Sequence, residues 1–190
     1  MANLEEPVLF QGEQRPVVYV KWNDVMAFCQ RLRLRTGKNY TLPSEAQWEY
    51  ACRAGTTTPF HWGATISTEL ANYNDGTVYG DGEKGRYRQQ TVDVASFPAN
   101  PWGLHDMHGN VWEWCADHWH NNYKGIPEDG RAWINEKEND FNDKMNLMLL
   151  RGGSWLNGPG LCRSAFRFNQ YRDSRYDYCF GFRVFCLAQD

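Results

Sequence analysis

No run of this chain stays apolar over the roughly 20 residues that a membrane-spanning helix needs. The opening MANLEEPVLF lacks the basic and apolar regions of a secretory leader, so a cytoplasmic location is the default expectation. No two of the six cysteines (Cys29, Cys52, Cys115, Cys162, Cys179, Cys186) form a Cys-x-x-Cys pair. That argues against a zinc knuckle or thioredoxin-type motif and leaves mostly buried free thiols as the expectation. There is no marked excess of either charge: 20 basic against 23 acidic residues give a net charge of −3. Sequence-independent nucleic-acid binding is therefore not expected. Gly152-Gly153 is not a phosphate loop, since no Gly-Lys-Ser/Thr completes the pattern and no helix is expected after it. Internal repeats and a linker between domains are also missing.

What is abundant is aromatic. Phe, Trp and Tyr make up 15% of the 190 residues, with nine tryptophans, enough for one domain built around large anchors. Val17–Trp22 is β-branched and aromatic and predicts a strand. Asn23 is then expected to cap a helix running to about Thr36, with Val25, Phe28, Cys29 and Leu32 on one face and Gly37 as the stop. Ser44-Glu45-Ala46-Gln47 has the capping-box pattern and predicts a second helix that ends at Gly55. Residues 56–110 lose periodicity and read as braced loops. Short strands are predicted at 111–115, 148–155, 163–168 and 181–186, with a polar excursion at 121–146. Two helices, several short strands and many loops predict an α+β fold without βαβ units. Trp48, Trp112, Trp114 and Trp155 are expected in one core.

From Gly152 to Val184 the chain contains no Lys, Glu, Met, His, Ile or Thr. Large aromatics there alternate with Arg, Asn and Asp, a mix that adaptable contact surfaces use. The segment is framed by Arg151-Gly152-Gly153-Ser154-Trp155 and Gly181-Phe182-Arg183-Val184. It reads either as a binding surface in a rigid frame or as an aromatic core rimmed by arginine.

The blocks Leu42–Ala51, Gly103–Trp114, Arg151–Trp155 and Gly181–Val184 resemble, in order, the formylglycine-generating-enzyme (sulfatase-modifying factor) family. The resemblance covers about residues 16–186. It implies a C-type-lectin-like fold with two helices and a small twisted antiparallel sheet. Residues 1–15 are an N-terminal segment; Val8–Gly12 within it resembles a viral 3C-protease site and is either an added processing site or a natural strand. Residues 16–190 form the domain. Family members usually carry a further strand–helix portion before the counterpart of Val17, so the resemblance implies a truncated chain or a fused N-terminal region.

The same frames resemble the variable proteins of diversity-generating retroelements, in which the segment between the frames is rewritten at adenines, mostly in Asn codons. Leu156, Leu161, Phe166, Phe168, Tyr171, Ser174, Tyr176 and Tyr178 follow that alphabet, whereas Gln170 does not. These eight are the candidate ligand-binding residues and 152–184 the candidate variable region. The partner implied is a protein or another macromolecule. Trp155, Arg163, Ala165 and Phe182 are expected to be buried or hydrogen-bonded as the frame.

Catalysis of the family's type uses two cysteines that bind copper. The resemblance places the first at Asn157 and the second at Cys162, so one thiolate is missing and no catalytic residue is assigned. The alternative is an oxidoreductase or accessory domain with a degenerate metal site. Histidines 105, 108, 118 and 120 cluster in sequence, and an iron site would pair His118 with His120 and take Asp117 or Asp106 as third ligand, but the helical region that supplies iron ligands in the related sulfoxide synthases is lacking. No cofactor is required on this reading. The resemblance allows one structural calcium at Asp106, Asn110 and Glu113, while a second family site at Asn72 loses its acidic partner to Lys84 or Arg86.

Overall fold

The computed structural model describes residues 12–135, 147–174 and 178–187. Helix α1 spans Trp22–Thr36 and helix α2 spans Glu45–Arg53. Between them lies β1 (Asn39–Thr41), and after them come β2 (Trp112–His118), β3 (Leu147–Arg151), β4 (Phe168–Tyr171), β5 (Phe180–Gly181) and β6 (Phe185–Leu187).

The cap of α1 is Lys21 and not Asn23: the Lys21 N–H donates to Asp24 Oδ2 at 3.4 Å, so the acidic side chain closes the first turn from inside. Gly37 ends the helix in the left-handed region, φ 71°, as the sequence predicts. Around Ser44 the capping box is reciprocal, with Gln47 N donating to Ser44 Oγ at 3.1 Å and Ser44 N to Gln47 Oε1 at 2.9 Å. Helix α2 stops one residue earlier than expected, on Ala54.

The main sheet has the order β4-β3-β2-β5. It is antiparallel except for the short parallel pairing of β2 with β5. A second, two-stranded antiparallel ribbon joins β1 to β6. All seven residues of β2 are buried, because the sheet is covered on both faces. Period-2 alternation sends Trp112, Trp114 and Ala116 to the side of α1, where they join Val25, Cys29, Met148, Leu150 and Trp155. Cys115 and Leu149 point the other way, onto Trp48 and Cys52 of α2. The four tryptophans expected together are thus divided, with Trp48 in the second cluster. A third cluster, Phe60, Ile66, Ala71, Tyr73 and Cys162, fills the loop region.

Three expected strands take other forms. Val17–Trp22 is irregular: Tyr19 sits at φ 60°, which breaks an extended run, and the segment's apolar side chains are used in packing instead, with Val20 and Trp22 against the core. Residues 163–168 are preceded by a 3-10 turn at Pro159–Cys162, and strand geometry begins only at Phe168. The segment 181–186 is divided between two sheets as β5 and β6.

Candidate functional site

The segment 152–184 is anchored at both ends by buried charge. Arg151 is completely buried; its Nη1 donates to Phe166 O at 2.7 Å and its Nη2 to Ser164 O at 2.7 Å and to Glu49 Oε2. Its guanidinium also lies over the Trp48 ring. At the far end, Arg183 Nε and Nη2 hold the Glu113 carboxylate at 2.5 and 2.6 Å, and Glu113 Oε2 also accepts the Trp48 indole N–H at 2.6 Å. Gly153 adopts φ 75°, and a Cβ there would lie 2.6 Å from Cys162 Sγ. No other residue fits without moving the backbone.

Between these anchors, none of the seven described candidates is buried. Leu156 and Tyr171 are exposed; Leu161, Phe166, Phe168, Ser174 and Tyr178 are half-buried. Tyr176 lies outside the described residues. Leu161, Phe166, Phe168 and Tyr178 all pack at the margin of the cluster that holds Trp112 and Trp155. Phe166 and Phe168 lean on Trp112, with centroids at 6.0 and 5.1 Å. Tyr178 stacks on Trp155 at 5.6 Å. Ser174 closes a turn by donating its N–H to Tyr171 O.

The residue between the two phenylalanines faces away from them. Arg167 forms a two-point ion pair with the buried Glu45 (2.6 and 2.8 Å), donates to His120 O, and sits over the rings of Trp119 and Tyr123. Of the frame residues, Trp155 is buried, Phe182 packs edge-on against Phe28, and Arg163 donates to Gly160 O. Ala165 is exposed, contrary to expectation; it follows buried Ser164 at the turn where Phe166 N bonds Arg163 O. Two residues that the sequence reading passed over join the aromatic face. Tyr87 stacks on Trp155 at 6.3 Å, and Tyr19 leans on Tyr178. The only local signal was an aromatic within the basic turn Lys84–Arg88, which reads as solvated.

The thiol chemistry is muted. All six cysteines are free. Cys162 is completely buried, and burial pushes its thiol up to about 12, so without a bound metal it is protonated at neutral pH. Asn157 is held in place, with its Oδ1 accepting from Ser154 Oγ at 2.5 Å and its carbonyl from Asn74 N at 2.9 Å. Among the described residues no three His, Cys, Asp or Glu side chains are grouped to hold a metal ion. The histidines are dispersed into structural roles. His108 is held near 3 by burial and bonds Cys162 O, His118 Nδ1 accepts from Asn135 N, and His120 stacks on Trp133.

The calcium candidates, Asp106, Asn110 and Glu113, line one cleft but do not pool free oxygens. Asn110 Oδ1 accepts from Asn72 Nδ2 and Val92 N, and Glu113 accepts from Arg183 and Trp48. Asp106 Oδ2 accepts from Ala95 N at 2.7 Å, which leaves only its buried Oδ1 without a partner. A calcium ion takes six to eight oxygens, more than these three side chains supply on their own.

The profile of the sulfatase-modifying factor enzyme 1-like domain family matches residues 3–187. This chain belongs to that family. The formylglycine-generating enzyme of Mycobacterium tuberculosis is 33% identical over 187 residues, which cover 91% of this chain and 57% of that protein. The chain spans less than two thirds of the length of the curated relatives it matches first. Among solved structures, PvdO from Pseudomonas aeruginosa is 37% identical with a TM-score of 0.75, over 94% of this chain and 64% of that one. Treponema denticola variable protein 1 is 23% identical with a TM-score of 0.71, over 97% and 75% of the respective chains, and shares the fold. The α+β architecture, two helices with a small twisted sheet, is that of the sulfatase-modifying factor family. No helix among the described residues is long and apolar enough to cross a membrane.

Proposed function

We propose that this member of the sulfatase-modifying factor family is a non-catalytic binding domain that holds a macromolecular ligand, in the first instance a protein. Its contact face is formed by Leu156, Leu161, Phe166, Phe168, Tyr171, Ser174, Tyr176 and Tyr178. The observation that carries this reading is the contrast within one segment. Its ends are locked by partly buried ion pairs, while its described aromatic and aliphatic candidates all keep exposed area, with Leu161, Phe166, Phe168 and Tyr178 at the margin of the cluster that holds Trp112 and Trp155. Half-exposed Tyr and Phe on a fixed backbone give contact area at small cost in conformational entropy.

The restricted alphabet of these positions fits diversification of the retroelement type, and the fold occurs in a protein described as variable. Loss of the family's oxidase chemistry fits Asn157 at the position the resemblance gives to a copper thiolate, beside a deeply buried, protonated Cys162. The C-type-lectin character of the fold and a cytoplasmic site of action belong to the same proposal.

The test is a library in which the codons of these eight positions are randomised within the observed alphabet. Library members are expected to remain folded and to yield binders against unrelated protein targets. A library that mostly unfolds assigns the aromatics to the core and removes the proposal. At the DNA level the proposal requires an Asn-rich near-copy of the codons for 152–184 beside a reverse transcriptase.

A further inference from the structure

Among its described residues the segment 152–184 carries four arginines and one acid, Asp173. Two of the arginines are engaged inside the molecule, Arg167 with Glu45 and Arg183 with Glu113. Asp173 is itself held from outside the segment, by Lys21 Nζ at 3.8 Å and Asn23 Nδ2 at 3.3 Å. Arg163 and Arg172 are left without an acid among the described residues, and both are half-buried. The contact face thus carries uncompensated positive charge on a chain whose net charge is −3.

Arg163 is the more firmly positioned of the two. Its Nε donates to Gly160 O at 2.8 Å, and its guanidinium lies over the Phe166 ring, 5.8 Å from the centroid, within cation–π range. The backbone is fixed on both sides of it. A 3-10 turn at Pro159–Cys162 comes before, and after it Ser164 N donates to Pro59 O at 2.8 Å. Cys162 and Ser164 are both completely buried. The two Nη groups of Arg163 make no hydrogen bond among the described residues, and both keep solvent-accessible area. The guanidinium is therefore held at one edge and open at the other, so much of its rotamer freedom is lost before any partner arrives.

We infer that Arg163 is a fixed acid-binding point of the contact face, and that the protein partner brings an aspartate or glutamate side chain to it. The inference rests on the reading of this face as a binding surface. The N–H groups on the open edge match the two oxygens of a carboxylate. Phe166 covers one side of the guanidinium, and excluding water there strengthens the attraction between the two charges. Arg163 is not one of the eight candidate positions, and its bond to Gly160 is to a backbone carbonyl. Substitution at the eight positions leaves that bond in place. Every version of the face then makes one common demand on its partner, an acid, while the eight positions decide which acid-bearing surface fits. Arginines seated in this way are frequent energetic centres of protein interfaces.

The experiment uses the full chain, with the eight-position library selected against lysozyme and calmodulin, one basic and one acidic target. Binders are remade as Arg163→Gln and Arg163→Lys, and the target's exposed acids are exchanged one at a time for their amides. For each binder one target acid is expected whose exchange lowers affinity by about tenfold or more. Arg163→Gln is expected to lower it as much, and both changes together no further than either alone. Arg163→Lys keeps the charge but not the fork and is expected to restore only part of the loss. A role confined to bracing Gly160 would weaken binding whatever acids the target carries, so additive losses overturn the proposal. Binders whose affinity is unchanged in Arg163→Gln overturn it too, while leaving the binding reading intact. A folded library without binders removes both. Unfolding midpoints accompany each variant; where Arg163→Gln does not fold, the target-side exchanges and Arg163→Lys decide.

Discussion

Phe168 lies against Trp112 with ring centroids 5.1 Å apart and planes inclined by 26°, so a residue of the proposed contact face also roofs the core. Phe168→Ala is therefore expected to cost roughly 1–2.5 kcal/mol, between the values for exposed and for fully buried truncations. Urea unfolding at constant m-value measures it. The sequence alone argues for a change within about 0.5 kcal/mol, and the stacking on Trp112 raises that figure.

Leu156 and Tyr171 make the sharper separation between binding and folding. Both are exposed, and their alanine variants are expected to shift stability by no more than about 0.5 kcal/mol. Trp155→Ala, which empties a buried site against which Tyr87 and Tyr178 both stack, is expected to cost roughly 3–5 kcal/mol. Similar unfolding midpoints for all three variants would place Leu156 and Tyr171 in the core.

Arg151→Met tests the internal charge network. The guanidinium is wholly buried and serves Glu49, Ser164 and Phe166. Removing it leaves two carbonyls without their donor and the partly buried Glu49 with Arg53 alone, at roughly 2–4 kcal/mol. Adding Glu49→Gln is expected to recover part of that loss, and a double-mutant cycle gives the coupling. Strict additivity would contradict the network.

Asp117 carries a pH signature. Burial pushes its carboxyl up to about 6, while the Trp133 and Glu45 N–H groups, which it accepts, oppose the shift. A raised carboxyl pKa means that the folded protein holds this proton more tightly than the unfolded chain does. The penalty of the ionised group is thus fully present above pH 6 and is relieved as the pH falls from about 6 toward about 4. A ¹³C titration of the Asp117 carboxyl is expected to have its midpoint near 6. The gain in stability from this group over that window is at most roughly 3 kcal/mol. A midpoint at or below 4 would refute the assignment.

Purified protein is expected to carry no stoichiometric copper, and Cys162→Ser is expected to leave metal content unchanged. Elemental analysis of both proteins after exposure to Cu(I) settles the point. About one copper per chain, lost in Cys162→Ser, would return the domain to the oxidases.

The parts of the fold that were legible in the sequence are those governed by neighbours a few residues away. The Ser44–Gln47 box and the Gly37 stop depend only on local hydrogen bonds and on φ, and both are present as read. Val17–Trp22 shows the opposite case. Its β-branched residues carry strand propensity, but Tyr19 takes φ 60° and Val20 O accepts the Trp114 indole N–H from a strand more than ninety residues on. The frame of the candidate site was visible in its motifs. That Phe166 and Phe168 rest on Trp112, or that Tyr87 completes the stack on Trp155, depends on contacts across dozens of residues that no local pattern encodes. The commitment of Glu113 to Arg183 is equally non-local, and it turns a candidate metal ligand into half of an ion pair.

The alternation at Phe166, Arg167 and Phe168 has an evolutionary reading. The two phenylalanines look one way, while the arginine between them is fastened to Glu45 on the other. A gene altered at codons 166 and 168 but not at 167 would keep the polypeptide fastened between the two altered positions. Substitution at 166 and 168 then leaves the Arg167–Glu45 fastening untouched, and new side chains there do not require a new way of holding the backbone.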